Sequence, residues 1–440
     1  MSDRLDQIGR MLLELAFDAP LRTSAEAESL WRIKLPEVAS CVAELSTIYT
    51  RDRIRLKRDL LENPRFRKAY LLYFLPCNMM KVPLVLEEIA RLDEGRARLG
   101  GNLRVLDIGS GPGTHLLGLL EFLASRPPQP PGLPTETRRL DCVALDAVER
   151  NLSDLRRLFH RYHQLVGESG GSPLLRGIRT VLDRALPATL GKFDVVLMGN
   201  VLNELFVESE DPIARRAAFV SDVAARFLRS DGFLIVMEPA LKETSRDLLK
   251  VRNRLLMTTQ LRVFSPCVHN LPCPAVSGTN LDDWCHEERP WSVPDFIARI
   301  DTLIGNRKSS LKFAYVVLSP TGWSICHAAG DRETSLSDSS SVTAEAERWR
   351  VVSDRLEEKG KSSVFLCGRQ GRFKVSRLQK HNAQSNADFG WTARGCVVET
   401  TDLRMRTERE WRVERSAAFR ILQLPTSGQS DGTSKRGGGN

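Results

Sequence analysis

The sequence predicts an α/β protein in which a parallel sheet carries helices on both faces, preceded by a helical domain and followed by a cysteine-rich insertion and a small β-rich domain. Three observations predict it. Short apolar runs at Leu103–Ile108, Asp141–Leu145, Phe193–Leu197 and Phe233–Met237 alternate with helical stretches, which is the pattern of a sheet covered on both sides. The first run leads straight into a glycine-rich turn and a helix at His115–Leu123. Three cysteines and two histidines then crowd into twenty residues as Cys267-Val-His-Asn-Leu-Pro-Cys273 and Trp284-Cys285-His286.

Residues 1–95 read as a helical domain, because apolar residues recur at three- and four-residue steps around Leu12–Ala16 and Leu84–Ile89. Residues 96–262 hold the alternating strands and helices. Two surface insertions, Arg126–Arg139 with five prolines and Gly167–Pro173, lengthen loops there. Residues 263–330 contain the cysteines and a continuous β-type run, Phe313–Leu318, that would complete the sheet. Residues 330–345, rich in Ser, Asp and Thr, read as a linker. Beyond it, in 346–425, Val364–Leu366 and Phe373–Val375 flank Gly368-Arg369-Gln370-Gly371 as a hairpin would, and Trp391–Val398 offers a further strand. Residues 426–440 read as a disordered tail.

The chain of 440 residues has room for two or three domains, and its hydrophobic content of 42% is ordinary for a globular protein. No run of about eighteen apolar residues offers a membrane span, so no membrane partner is expected. The net charge of +9 is unevenly placed: Lys361 to Asn440 alone carries fifteen Lys or Arg against seven Asp or Glu, and Arg51 to Lys68 carries eight against three. Such blocks suit a polyanion, with nucleic acid first, unless they are solvated helix faces.

The glycine turn is Val105-Leu106-Asp107-Ile108-Gly109-Ser110-Gly111-Pro112-Gly113-Thr114. Glycines permit positive φ and close backbone approach, while the following helix N-terminus offers free N–H groups. With an acid two residues before the first glycine, the pattern resembles the S-adenosylmethionine loop of class I methyltransferases, a Rossmann-like fold. That resemblance implies donor contacts from Asp107, Gly109, Gly111 and Gly113, ribose hydroxyls on Asp146 at the end of the next strand, and an adenine contact at Asp183. Asn200, in Gly199-Asn200-Val201-Leu202-Asn203-Glu204-Leu205, stands where open α/β sheets build their ligand crevice. Asn203 and Glu204 belong to the crevice or cap the next helix. Neither a polar-Pro-Pro-aromatic loop nor a nucleophilic cysteine follows Val196-Leu197-Met198, so no catalytic residue is assigned.

Several convergent thiolates hold zinc or iron. The five residues between Cys267 and Cys273 exceed the two to four typical of zinc fingers, which weighs towards iron–sulfur, with zinc as the alternative. Cys41, Cys77 and Cys142 sit in apolar or helical runs and read as core. The start, Met-Ser-Asp-Arg-Leu-Asp, has no charged-then-apolar signal, so the thiols are expected to be reduced.

Taken together and in order, the glycine loop, Val201–Leu205, Val236-Met237-Glu238-Pro239, Pro266–Pro274, Asp283–His286 and Lys312–Leu318 resemble the methyltransferase-like proteins of the mitochondrial small ribosomal subunit and their bacterial relatives, over roughly residues 45–400. The resemblance implies a [4Fe–4S] cluster on Cys267, Cys273, Cys285 and a later cysteine, for which Cys367, in Val364-Phe365-Leu366-Cys367, is chosen over Cys326. It also implies work on or with small-subunit ribosomal RNA. The chain departs from the pattern at Val268, where proline is usual, at Glu287, where an aromatic is usual, and at Phe389-Gly390-Trp391; Leu75-Pro76-Cys77-Asn78 is a partial match. Two functions follow: a methyltransferase acting on a ribosomal RNA base, or a monomeric assembly factor that keeps the donor pocket and cluster without turnover. A metabolic methyltransferase with a zinc site is a weaker third. The expected location is the bacterial cytoplasm, with the mitochondrial matrix as the alternative.

Overall fold

In the computed structural model, residues 2–57, 59–126, 139–167, 173–184, 186–278, 280–327 and 346–426 are described. The proline-rich insertion, most of the 167–173 insertion, the linker and the tail lie outside them. Six helices come first: α1 (Ser2–Phe17), α2 (Ser24–Thr50), α3 (Pro64–Ala69), α4 (Leu75–Met79), α5 (Lys81–Ala90) and α6 (Asp93–Gly100). Helix α2 starts on a capping box in which Thr23 and Glu26 satisfy each other's backbone N–H groups. Between α3 and α4, Tyr70–Phe74 form a π-helical turn, a widening of the helix frequent at functional sites.

The stretch Pro64–Ala90 is long and apolar enough to cross a membrane by length and composition, which corrects the expectation that no such segment exists; 72% of its most apolar window is buried inside the protein. It packs into the core shared with the first sheet, and within it Lys81 donates to Asn78 while Glu88 accepts from Arg350 of the second sheet.

The sheet follows as β1 (Leu103–Ile108), α7 (Thr114–Ala124), β2 (Leu140–Asp146), α8 (Glu149–Val166), β3 (Leu174–Arg179), β4 (Phe193–Gly199), α9 (Pro212–Phe227), β5 (Leu228–Pro239), α10 (Lys242–Thr258), β6 (Arg262–Ser265), α11 (Pro274–Ser277), β7 (Glu287–Pro290), α12 (Asp295–Ile304) and β8 (Ser310–Ser319). Strand order is β3-β2-β1-β4-β5-β8-β6, with β7 also on β8. Strands β1 to β5 pair in parallel, and β8 runs antiparallel to β5 and β6. A reversed last strand is thus slotted between the fifth and sixth, in the Rossmann-like sheet that the alternating strands and helices predict. Two apolar cores lie on its faces, one continuous with the N-terminal helices.

Both β6 and β7 pair with β8 on its outer side, β6 against Val317–Ser319 and β7 against Ser310–Phe313. The cysteine-bearing segment 266–286 therefore leaves the sheet edge and returns to the same edge. Strand β7 reads Glu-Glu-Arg-Pro, which no apolar pattern would call a strand.

A second sheet holds β9 (Glu347–Val351), β10 (Leu356–Glu358), β11 (Lys361–Gly368), β12 (Gly371–Leu378), β13 (Val397–Thr401), β14 (Arg404–Met405), β15 (Glu410–Val413) and β16 (Ala418–Gln423). Its order is β14-β15-β12-β11-β9-β13-β16, with β10 on β11. The β11–β12 hairpin closes with Gly368 opposite Gly371, as its sequence predicts. The strand expected over Trp391–Val398 is corrected: a 3-10 turn covers Gln384–Trp391 and β13 starts only at Val397. Gly395, at φ +88, breaks the extended run. Trp349, Phe373, Trp411, Phe389 and Phe419 form a separate core.

Candidate functional site: a donor crevice and a four-thiol cavity

Strand β1 is flanked by β2 on one side and β4 on the other, so the chain reverses its direction of winding there and opens a crevice at the carboxyl ends. The glycine loop fills that point. Gly109 and Gly111 take φ values of +73 and +52; a Cβ on Gly109 would come within 2.5 Å of Val201, whereas one on Gly111 would meet open space. Gly113 caps α7 in the left-handed conformation.

Asp146 ends β2 and organises the loop. Its carboxylate accepts from Gly111 N at 2.8 Å, Val148 N at 2.9 Å and Asn151 Nδ2 at 3.1 Å. Burial raises its pKa, against which those hydrogen bonds work.

Asp107 stands beneath this loop. It is fully buried, neither of its oxygens has a hydrogen-bond partner, and His115 Nδ1 lies 3.8 Å away. Burial, then the Asp146 charge, pushes its pKa well up. A protonated Asp107 carries no charge into the core.

Gly109, Gly111, Asp146 and Asn200 all line a cavity of about 450 Å³, inside the roughly 300–1,000 Å³ range of small-ligand sites. Asn203 and Glu204 line it too. Asn200 sits at φ +55, held by its N–H bond to Met237 O at 2.8 Å; Asn is among the few non-glycine residues that tolerate this. Asn203 bonds Glu238 and Arg53, so it serves the crevice rather than a helix cap. Asp183 is exposed, and its neighbour Leu182 lines the cavity instead.

Sequence reasoning left out the other wall. Tyr49, Arg53, Tyr70, Phe74, Asn78 and Lys81 from the N-terminal helices cover the strand ends. Tyr70 Oη meets Thr114 Oγ1 at 3.1 Å, joining the π-helical turn to the start of α7. The partial match at Leu75–Asn78 was the only sequence signal for this wall.

A second cavity is lined by Cys267, Cys273, Cys285 and Cys367, with His269, His286, Glu287, Arg350 and Arg372. The first three thiols come from the excursion between β6 and β7, and Cys367 crosses from β11 of the second sheet. Burial, then Cys267, pushes Cys273 up to about 11. Burial, then Cys273, pushes Cys285 up to about 12. Cys367 is raised by burial and by all three other cysteines. Each thiol is thus within electrostatic reach of the rest. Cys326 packs apart, with Ile325 and Val397, while Cys41, Cys77 and Cys142 are buried core.

Among the described residues, no group of three or more His, Cys, Asp or Glu converges as one metal ion would require. The donor set is nonetheless suited to a cluster. A cluster presents a separate iron to each thiolate, so its ligands stand farther apart than ligands sharing one ion, and Arg350 and Arg372 can offset its negative charge.

The basic blocks resolve unevenly. Around the β11–β12 hairpin, Arg372 pairs with Asp283, Lys374 with Glu358 at 3.6 Å, and Arg377 donates to Asn386 O at 2.6 Å; only Arg369 of these four is exposed. In the earlier block, Arg67 pairs with buried Asp154 at 2.5 Å and Arg55 with Glu44 at 3.0 Å. By contrast Arg404, Arg406, Arg409 and Arg415, on and beside β14 and β15, are exposed.

No curated protein matches the chain. Among solved structures, magnesium protoporphyrin IX methyltransferase from Synechocystis PCC 6803 with bound S-adenosylmethionine is 14% identical, at TM-score 0.30, over 64% of this chain and 96% of its own. The plantazolicin methyltransferase BpumL with S-adenosylhomocysteine is 13% identical, at TM-score 0.31, over 66% and 98%. These likenesses are distant. A family model matches residues 173–388, a span that starts after the glycine loop but includes Asn200–Leu205 and all four cavity cysteines. Over residues 173–388, just under half of its length, the chain is similar to the family described as mitochondrial small ribosomal subunit Rsm22.

Proposed function

We propose that the protein binds S-adenosylmethionine in the β1/β4 crevice, carries a [4Fe–4S] cluster on Cys267, Cys273, Cys285 and Cys367, and works with small-subunit ribosomal RNA during ribosome assembly. The observation that carries this reading is the meeting in one cavity of three thiols from the segment between β6 and β7 with a fourth from β11, on a chain whose glycine loop, Asp146 and Asn200 line a second cavity. When bound, the cluster supplies four iron–thiolate bonds and a negative charge. This chain's residues do the rest: the β6 and β7 pairings fix the ends of the cysteine segment, Arg252 holds it by donating to His269 O and Leu271 O, both at 2.7 Å, and Arg372 ties it to the hairpin through Asp283. Zinc is less well supported, because one ion would need the thiols closer together.

In the crevice, Asp146 would accept the ribose hydroxyls while its remaining bonds hold the glycine loop in place. Among the described residues no cysteine lines this cavity, which argues against a carbon-5 methylase with a cysteine nucleophile. Methylation of a ribosomal RNA base is the second reading. It is favoured by the polar side chains of Asn203 and Glu204 in the wall of the cavity beside the glycine loop. The family description favours the mitochondrial matrix over the bacterial cytoplasm. Anaerobic purification with iron and sulfide counting, followed by crosslinking to small-subunit RNA, tests the proposal; stoichiometric zinc without iron, or no RNA crosslink, would refute it.

A further inference from the structure

Of the four lysines that line the donor cavity, Lys57 is exposed and Lys312 pairs with Glu288, which leaves the ammonium groups of Lys81 and Lys308 unused by the site described above. The strand order fixes which way a donor must lie. With its ribose on Asp146 at the end of β2 and its adenine towards Leu182 beyond β3, its other end has to run back across β1 and β4, over Gly109 and Asn200. Lys81, the first residue of α5, lies at that end. His115 packs under Gly199, where a Cβ would come within 1.9 Å of Nε2. Burial, then the charge of Lys81, lowers the pKa of that imidazole to about 4. Lys81 is therefore close to the end of β4, away from the ribose end.

The hydrogen-bond partner of Lys81 is neutral: Nζ donates to Asn78 Oδ1 at 2.7 Å. Lys308 lines the same cavity, its Nζ 5.0 Å from the centre of the Tyr73 ring and 5.9 Å from that of Phe74. Burial first, then Lys308, lowers the pKa of Lys81 to about 7. Among the described residues no carboxylate pairs with either ammonium. Two like charges sharing a half-buried cavity repel unless an anion lies between them. S-Adenosylmethionine has one anionic group, the α-carboxylate, at the end opposite its adenine.

We propose that Lys81 and Lys308 form the seat of the donor's α-carboxylate, so that the N-terminal helices take part in donor binding. The inference rests on the donor-binding reading above and adds the residues that recognise the amino-acid end. Asn78 is then a positioning residue that aims Lys81.

The test is calorimetric titration of the full chain with S-adenosylhomocysteine and with methylthioadenosine, which keeps the adenosine and sulfur but lacks the amino-acid carboxylate. Lys81→Met and Lys308→Met should each weaken S-adenosylhomocysteine binding by about ten- to a hundredfold, the usual worth of a hydrogen bond to a charged group. Methylthioadenosine affinity should not change, and Lys81→Arg should recover most of the loss. Thermal unfolding of both variants separates misfolding from lost recognition. Equal losses for the two ligands, or no loss for either, would overturn the inference while leaving the donor site standing. A parent protein that binds neither compound would overturn the donor site and this inference together.

Discussion

Arg350 Nη2 donates to Glu88 Oε1 at 2.7 Å, joining β9 of the second sheet to α5 of the helical region in a fully buried contact. The same guanidinium reaches Glu287 on β7 at 3.1 Å, and Tyr315 on β8 donates to Glu88. Three parts of the chain thus meet at one charge cluster beside the thiol cavity. Arg350→Met would leave buried Glu88 with only the Tyr315 hydroxyl and buried Glu287 with only Arg289. A cost of about 3–5 kcal/mol is expected for breaking such a pair, read as a lower urea midpoint with an unchanged denaturant slope.

Glu88 also predicts acid sensitivity. Burial acts to raise its pKa, but Arg350 and Arg289 hold it below the ordinary value. A carboxyl lowered in the folded state contributes stability that is present above its unfolded value of about 4.3 and lost as pH falls through the folded value. The stability gap between the parent and Glu88→Gln should therefore be widest near neutrality and close in acid. Parallel pH profiles for the two proteins would remove Glu88 from this role.

For the donor crevice, Gly111→Arg should abolish S-adenosylmethionine binding, because its side chain would enter open cavity, at a stability cost of about 1–2 kcal/mol for placing a non-glycine residue at φ +52. Asp146→Ala should cost about ten- to a hundredfold in affinity and also lower the melting temperature, since three N–H groups lose their acceptor. Calorimetry and thermal melts, run together, distinguish these outcomes. Unchanged affinity in both variants would refute the crevice assignment.

Changing Cys267, Cys273, Cys285 or Cys367 singly to Ser should bleach the brown colour expected of a thiolate-ligated cluster and lower solubility. Cys326→Ser and Cys142→Ser should leave the colour intact. If Cys326→Ser bleached the protein and Cys367→Ser did not, the choice of fourth ligand would be wrong.

RNA contact is expected on the outer strands rather than at the β11–β12 hairpin. Arg372, Lys374 and Arg377 already have protein partners, so their removal would disturb the fold before it reported on RNA. Replacing Arg404, Arg406, Arg409 and Arg415 by Ala should instead flatten the salt dependence of binding to single-stranded small-subunit RNA, by about 0.7 in log–log slope for each phosphate no longer neutralised. An unchanged slope would make this strip a solvated surface.

The buried strands were legible because burial on both faces demands continuous apolar runs: the apolar stretch at Leu103–Ile108 is β1, and Phe313–Leu318 lies within β8. Strand β7 was not. Its Glu287 and Arg289 are buried through ion pairs with each other and with Arg350, so a charged sequence occupies an interior position that only its distant partners explain. Edge strand β3, with alternate residues exposed and Arg176 and Gly177 in its middle, likewise lacks an apolar signature. In the site, the glycine loop and Asp146 could be read because their chemistry is local in sequence. The helical wall could not, since Tyr49, Tyr70 and Lys81 acquire meaning only when α2 to α5 fold over the strand ends.

The thiol cavity also imposes an order in time. Cys267, Cys273 and Cys285 emerge from the ribosome close together, but Cys367 is synthesised 82 residues after Cys285 and reaches the cavity only once β11 has paired with β9 and β12. A nascent chain can therefore offer three sulfurs well before it can offer the fourth. Whatever these thiols grip is either held half-open during translation or delivered to a finished chain, and a truncation between the end of β8 at Ser319 and Cys367 yields a protein that keeps every residue lining the donor crevice but has an unclosed grip.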